Sequence, residues 1–159
     1  MIWAVLAGIL LVATDQLTKL WAVRSLAPIG QKELIPGFFH LVFVTNDGAA
    51  FNILRGNKIF LLGFVIVIVA GLCVYYVKLP KTKQYRLVRV AIVMIASGAV
   101  GNFIDRARQG YVVDFFYFVF IDFPVFNMAD IYVVLGTLFL SFLLLFVIKE
   151  DKKLEPLDG

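Results

Sequence analysis

Four apolar runs, each close to the about 20 residues a helix needs to cross the hydrocarbon core of a bilayer, dictate what this chain can become. They fall at about residues 2–23, 59–77, 87–104 and 129–148. A soluble core cannot absorb them, because 62% of the residues are hydrophobic and 16% are charged, whereas soluble domains hold about 45–50% apolar and about 25% charged residues. The expected fold class is an all-α membrane protein with four transmembrane helices, in one integral membrane domain covering 1–159. The first run has no positively charged start, and its helical composition continues past any cleavage point. It is therefore read as a span and not as a removed leader.

Charge sets the expected orientation. The connector after the second run carries Lys78, Lys81, Lys83, Arg86 and Arg89 with no acid, the strongest positive-inside signal in the chain. It is expected in the cytoplasm. The tail adds Lys149, Lys152 and Lys153 among acids. With four spans, both termini then face the cytoplasm, and the connectors at about 24–58 and 105–128 face outward. The net charge of +4 comes from short segments between apolar runs and forms no basic stripe, so nucleic acid is not an expected partner.

The outward connectors are unusual. The stretch 33–45 reads ELIPGFFHLVFVT, rich in β-branched and aromatic residues, and Asn46-Asp47-Gly48 follows as a turn signal, which predicts a strand or hairpin. The stretch 111–126 holds Tyr111, Phe115, Phe116, Tyr117, Phe118, Phe120, Phe123 and Phe126. Aromatic rings favour the membrane–water boundary. Together these predict a small extracytoplasmic β-rich cradle and an interfacial loop or helix on the outer side. One cysteine, Cys73, and one histidine, His40, cannot furnish an N/S-rich zinc site, and no His-x-x-x-His pair exists, so no metal and no cofactor are expected.

Polar residues interrupt the apolar runs at a cost of at least about 2.5–3.5 kcal/mol per charge near mid-membrane. Asp15, Gln16 and Lys19 break the first run, and the four-residue spacing of Asp15 and Lys19 puts them on one helix face as a pair. Gly101, Asn102, Asp105 and Arg106 crowd the end of the third. Asp105 and Arg106 could instead sit at the interface and snorkel, and Arg106 could pair with Asp105 or hold the loop carrying Asp114. Asn127 and Asp130 open the fourth. In the expected topology all of these lie at one depth near the outer face, which predicts a shared cavity.

Within that cluster Asp114 and Asp130 have apolar neighbours and no adjacent cation in sequence. Burial raises a carboxyl pKa and a second carboxylate raises it further, so a facing pair would share a proton, as in aspartic proteases. The alternative is structural, with Asp130 capping the fourth helix.

The blocks DQLTK at 15–19, TNDGAAF at 45–51, GNFIDR at 101–106, VVDF at 112–115 and FNMAD at 126–130 resemble, in order, the signatures of lipoprotein signal peptidase, also called signal peptidase II. The resemblance covers nearly the whole chain, with no departure at a position the motifs depend on. It implies a bacterial cytoplasmic-membrane aspartyl endopeptidase that removes the signal peptide from prolipoproteins just before a Cys already carrying diacylglycerol, and that globomycin inhibits. It implies Asp114 and Asp130 as the catalytic pair, without metal or cofactor. It implies Asp15, Lys19, Asn46, Gly98, Asn102, Arg106, Asn127 and Ala129 as residues that line or support the site. The expected partners are diacylglyceryl-prolipoproteins and membrane lipid, and the expected state is a monomer. From the residues alone, Asn46 is as readily a turn residue as a substrate contact, and Gly98 and Gly101 serve close helix packing. A proton-coupled transporter using Asp15, a non-enzymatic scaffold, and a peptidase using Ser25, Ser97 or Ser141 are the rival readings. The one-sided placement of the acids disfavours the first two. The lack of a base beside any serine disfavours the last.

Overall fold

The computed structural model describes residues 2–48 and 57–148. Residues 49–51 of the TNDGAAF block and the tail lysines Lys149, Lys152 and Lys153 lie outside the described residues. Four helices are long and apolar enough to cross a membrane: α1 (Ile2–Ser25), α2 (Lys58–Lys78), α3 (Arg86–Gln109) and α4 (Met128–Phe142), the last continuing as a π-helical turn over Leu143–Val147. Lipid offers no partners to backbone N–H and C=O groups, so an apolar run of this length closes its own hydrogen bonds as a helix. The bundle is inside-out relative to a soluble one. Leu6, Leu10 and Leu17 of α1 face outward, while Asp15, Lys19 and Ala22 form its buried stripe at i, i+4, i+7.

The helix α3 is the hub, packing against α1, α2 and α4. It runs five residues past the expected end, so Asn102, Asp105 and Arg106 are helical, and it stops at Gly110, whose φ of 87° only glycine adopts without strain. Asp105 and Arg106 are buried, at 5% and 9% exposure, and do not snorkel.

At the end of the bundle where α1 and α3 finish and α4 begins lies a three-stranded antiparallel sheet, ordered β1 (Gln31–Ile35), β2 (Phe39–Asn46), β3 (Val112–Phe118). The expected hairpin is present, but its turn is at residues 36–38, where Phe38 N–H donates to Ile35. Asn46-Asp47-Gly48 instead ends β2, as an Asx turn in which Gly48 N–H donates to the Asn46 side chain. The aromatic stretch 111–126 contributes the third strand of the sheet, β3, followed by a single 3-10 turn at Val119–Ile121. Val113 and Phe115 point from β3 into a core with Ala22 and Leu26 at the end of α1, which locks the sheet to the bundle.

Candidate active site

The alternation that buries Val113 and Phe115 turns Asp114 to the other face of β3. Asp114 lies opposite Val44 in the ladder, so Asn46, two residues along β2, is its diagonal neighbour on the same face. Asn46 Nδ2 donates to Asp114 Oδ2 at 3.1 Å. After the 3-10 turn the chain doubles back, and Phe126 exchanges backbone hydrogen bonds with Phe116. This return lays the start of α4 against Asp114, and Asn127 Nδ2 reaches Asp114 Oδ1 at 2.6 Å.

Asn127 is also the N-cap of α4. Its Oδ1 accepts from Asp130 N–H at 3.1 Å, while Asp130 Oδ2 accepts from Asn127 N–H at 3.1 Å. This is a capping box with Asp at its fourth position. The structural alternative for Asp130 is thus partly realised, since Oδ2 helps to cap the helix. Its other oxygen, Oδ1, accepts from Asn102 Nδ2 at 2.8 Å. One asparagine, Asn127, therefore touches both carboxyl-bearing residues.

The orientation of each amide is dictated by a partner that leaves no choice. Gly48 N–H requires the oxygen of Asn46. Asp130 N–H requires the oxygen of Asn127. The Lys19 ammonium, 2.8 Å from Asn102 Oδ1, requires the oxygen of Asn102. All three NH₂ groups are thereby turned toward the two aspartates.

Behind them stands a charged support. Lys19 pairs with Asp15 at 2.9 Å and with Asp105 at 3.0 Å. Gln16 Nε2 donates to Asp15, to the Gly101 carbonyl and to Asp105. Asp15 Oδ1 accepts from Ala129 N–H at 2.9 Å, satisfying one of the free amides at the start of α4. The approach requires glycine on α3. A Cβ at Gly101 would collide with the Asp15 carboxylate, and one at Gly98 would collide with the Ala129 carbonyl.

The structure brings Asp15, Lys19, Asn46, Gly98, Asn102, Asn127, Ala129, Asp114 and Asp130 together. Arg106 differs. Among the described residues it forms no ion pair with Asp105, which Lys19 holds, but its charge acts on Asp114, Asp130 and Asp105. Its guanidinium donates to the Gly48 carbonyl and anchors the turn that carries Asn46. Gln16, Asp105 and Gly101, which the sequence placed in the polar cluster without assigning them to the site, are integral to it. The signal for Asp105 was its spacing three residues from Asn102, which places both on one helix face.

Electrostatically, burial and then the nearby charge of Asp130 push the Asp114 carboxyl up to about 7, against the pull of the hydrogen bonds from Asn46 and Asn127 and of the Lys19 charge. Asp114 is 3% exposed, whereas Asp130 is only partly buried. Among the described residues, no three His, Cys, Asp or Glu side chains gather as a metal-ligand set.

Among the described residues the buried Asp, Lys and Arg side chains are Asp15, Lys19, Asp105, Arg106 and Asp114, all in this one cluster. The fold and the cluster define a class: a polytopic membrane protein organised around a buried cluster of charged side chains at one end of its bundle. The family model of signal peptidase (SPase) II matches residues 7–146. The chain is 43% identical to a lipoprotein signal peptidase of Clostridioides difficile over 143 residues, covering 89% of this chain and 94% of that protein. It is 45% identical to a lipoprotein signal peptidase of Caldanaerobacter subterraneus over 135 residues, covering 83% and 88%. A bacterial membrane enzyme structure solved by the in meso method at 2.3 Å superposes with a TM-score of 0.84 at 33% identity, covering 96% of this chain and 93% of that one. A second, at 1.9 Å, gives 0.80 at 34% identity, covering 93% and 96%. The chain belongs to the signal peptidase II family of peptidases.

Proposed function

We propose that this protein is an intramembrane aspartyl endopeptidase that removes the signal peptide of diacylglyceryl-prolipoproteins just before the lipidated cysteine, with Asp114 and Asp130 as its catalytic pair. The observation that carries the reading is the placement of both aspartates around Asn127, with three amide donors aimed at them and one carboxyl pushed up to about 7. A pair in this state holds one proton between two carboxyl groups near neutrality. The protonated member of the pair donates it to the scissile carbonyl oxygen. The other carboxylate takes a proton from a water, whose oxygen attacks the carbonyl carbon. Collapse of the tetrahedral intermediate returns a proton to the leaving amine of the lipidated cysteine and restores the pair. Asn46, Asn102 and Asn127 hold the two carboxyl groups in place at no cost in reorganisation.

The same reading puts the lysine- and arginine-rich connector and both termini in the cytoplasm, and the sheet and aspartates near the outer face. A scissile bond just beyond the apolar stretch of a signal peptide would reach that depth. The Phe126 ring, 5.5 Å from that of Phe116 and 5.7 Å from that of Phe118, completes an apolar platform for acyl chains. The enzyme acts as a monomer within a single domain and uses no metal or cofactor.

The test is a gel-shift assay with purified protein and a diacylglyceryl-prolipoprotein, beside the unlipidated precursor. Asp114→Asn and Asp130→Asn should abolish cleavage while remaining inserted and folded. Full activity in either variant would end the proposed pair, and equal cleavage of both precursors would end lipid recognition while sparing the peptidase.

A further inference from the structure

The helices α1 and α2 each pack along α3 but barely meet one another. Between them, two confluent cavities of about 880 and 680 Å³ share Ala4, Tyr76, Val77 and Val93. The one toward the interior is walled by aliphatic residues such as Val5, Ile9, Val69 and Ile92, and includes Cys73. The one toward the end of the bundle away from the aspartates is rimmed by Lys81, Lys83, Arg86 and Arg89.

These four cations are not equivalent. Arg89 is part of the wall: it donates to the Leu79 and Pro80 carbonyls and lies 5.6 Å over the Tyr76 ring. Among the described residues, Lys81, Lys83 and Arg86 have no ion-pair partner, and no carboxylate lines either cavity. Among the described residues, the result is an apolar slot at membrane depth ending in three positive charges without an ion-pair partner.

We propose that this slot is a binding site for an anionic phospholipid, with the phosphodiester held by Lys81, Lys83 and Arg86 and the acyl chains lying between α1 and α2. Charge decides the occupant. A signal peptide begins with a cationic segment, which would be set against three like charges. A second copy of this chain would bring the same basic connector to the same depth. Only an anion with apolar chains satisfies both halves of the slot. The site is separate from the aspartate cluster and does not rest on the peptidase reading.

Cys73 supplies the probe, since it is the only cysteine, is exposed and lines the slot. The experiment follows alkylation of Cys73 by N-ethylmaleimide in detergent micelles supplemented with phosphatidylglycerol or phosphatidylcholine of identical chains. Phosphatidylglycerol should protect the thiol at a concentration at least about tenfold lower. Removing the cations as Lys81→Gln, Lys83→Gln and Arg86→Gln should raise that concentration by about fivefold per charge and erase the headgroup preference. In the unmodified protein, about 1 M salt should do the same, which tests the idea even where the triple variant fails to fold. Equal protection by the two lipids overturns the proposal. So does a preference that survives salt, better protection by a synthetic signal peptide, or protection that rises with protein concentration in lipid-free micelles.

Discussion

Asp114→Asn should change stability with a sign that depends on pH. Each tenfold change in proton affinity is worth about 1.4 kcal/mol, so a carboxyl moved from 3.8 to about 7 disfavours the folded, charged state by about 4 kcal/mol. The folded pKa is the higher one, so the stabilising contribution is complete below about pH 3.8 and is lost as pH rises through about 7. Roughly 1.7 kcal/mol of it is gone by pH 5, and about 2.6 kcal/mol more disappears between pH 5 and 8. Asparagine keeps the shape and cannot ionise. Its cost is constant: both Asp114 oxygens accept from amide NH₂ groups, so one of those donors meets the new NH₂, at about 1–3 kcal/mol. The variant should therefore melt within a few degrees of the parent at pH 5 and clearly above it at pH 8. The relative movement should be roughly 5–10 °C by the scaling for chains of this length. Thermal scans in micelles at pH 5, 6.5 and 8 measure it. Parallel melting curves for the two proteins across that range would refute the account of Asp114 as a buried, proton-holding carboxyl.

Lys19→Met should leave Asp15 and Asp105 as buried carboxylates without their cation, a loss of about 3–5 kcal/mol. Yield of folded protein by size-exclusion chromatography should collapse, and near-normal recovery would show that the ion pairs do not hold α1 to α3. Gly98→Ala should push α4 away from α3 at about 1–3 kcal/mol and lower kcat by about a hundredfold by moving Asp130. Gly63→Ala, where a Cβ meets nothing within 4 Å, is the control, and equal activity of the two variants would count against the close approach as a requirement.

The spans were legible because lipid imposes a single length and a single solution on an apolar run, and all four helices appear within a few residues of their apolar limits. The cluster was legible because a buried charge in a membrane must find company, and the four-residue spacing of Asp15 and Lys19 named one helix face. The strand β3 was hidden because both its faces are apolar: Val113 and Phe115 meet α1, while Phe116 and Phe118 meet Phe126. The alternation that normally marks a strand is therefore missing. The hairpin turn was misplaced because Asn46-Asp47-Gly48 is the stronger local turn signal, yet a side-chain cap on Gly48 ends a strand without reversing it. The partner of Asp105 was misread from adjacency. Neighbours i and i+1 on a helix point about 100° apart, so Arg106 leaves toward Gly48, while Lys19 arrives from another helix.

The placement of Lys19 also accounts for the use of asparagine around the aspartates. A lysine in direct contact with Asp114 and Asp130 would favour the charged form of both and leave the proposed mechanism without its proton. The bundle nevertheless needs a cation to hold Asp15 and Asp105 in a low-dielectric interior. Asn102 resolves the conflict by standing between, with its oxygen on the ammonium at 2.8 Å and its NH₂ on Asp130 at 2.8 Å. The ammonium is thus bonded to the two supporting carboxylates, the Arg106 guanidinium acts on Asp114 and Asp130 through its charge without an ion pair among the described residues, and the hydrogen bonds that Asp130 accepts come from neutral donors, Asn102 Nδ2 and Asn127 N–H. Asn46 and Asn127 treat Asp114 in the same way. Neutral donors fix the positions of two carboxyl groups without fixing their charge, which is the condition for a pair that must pass a proton and take it back.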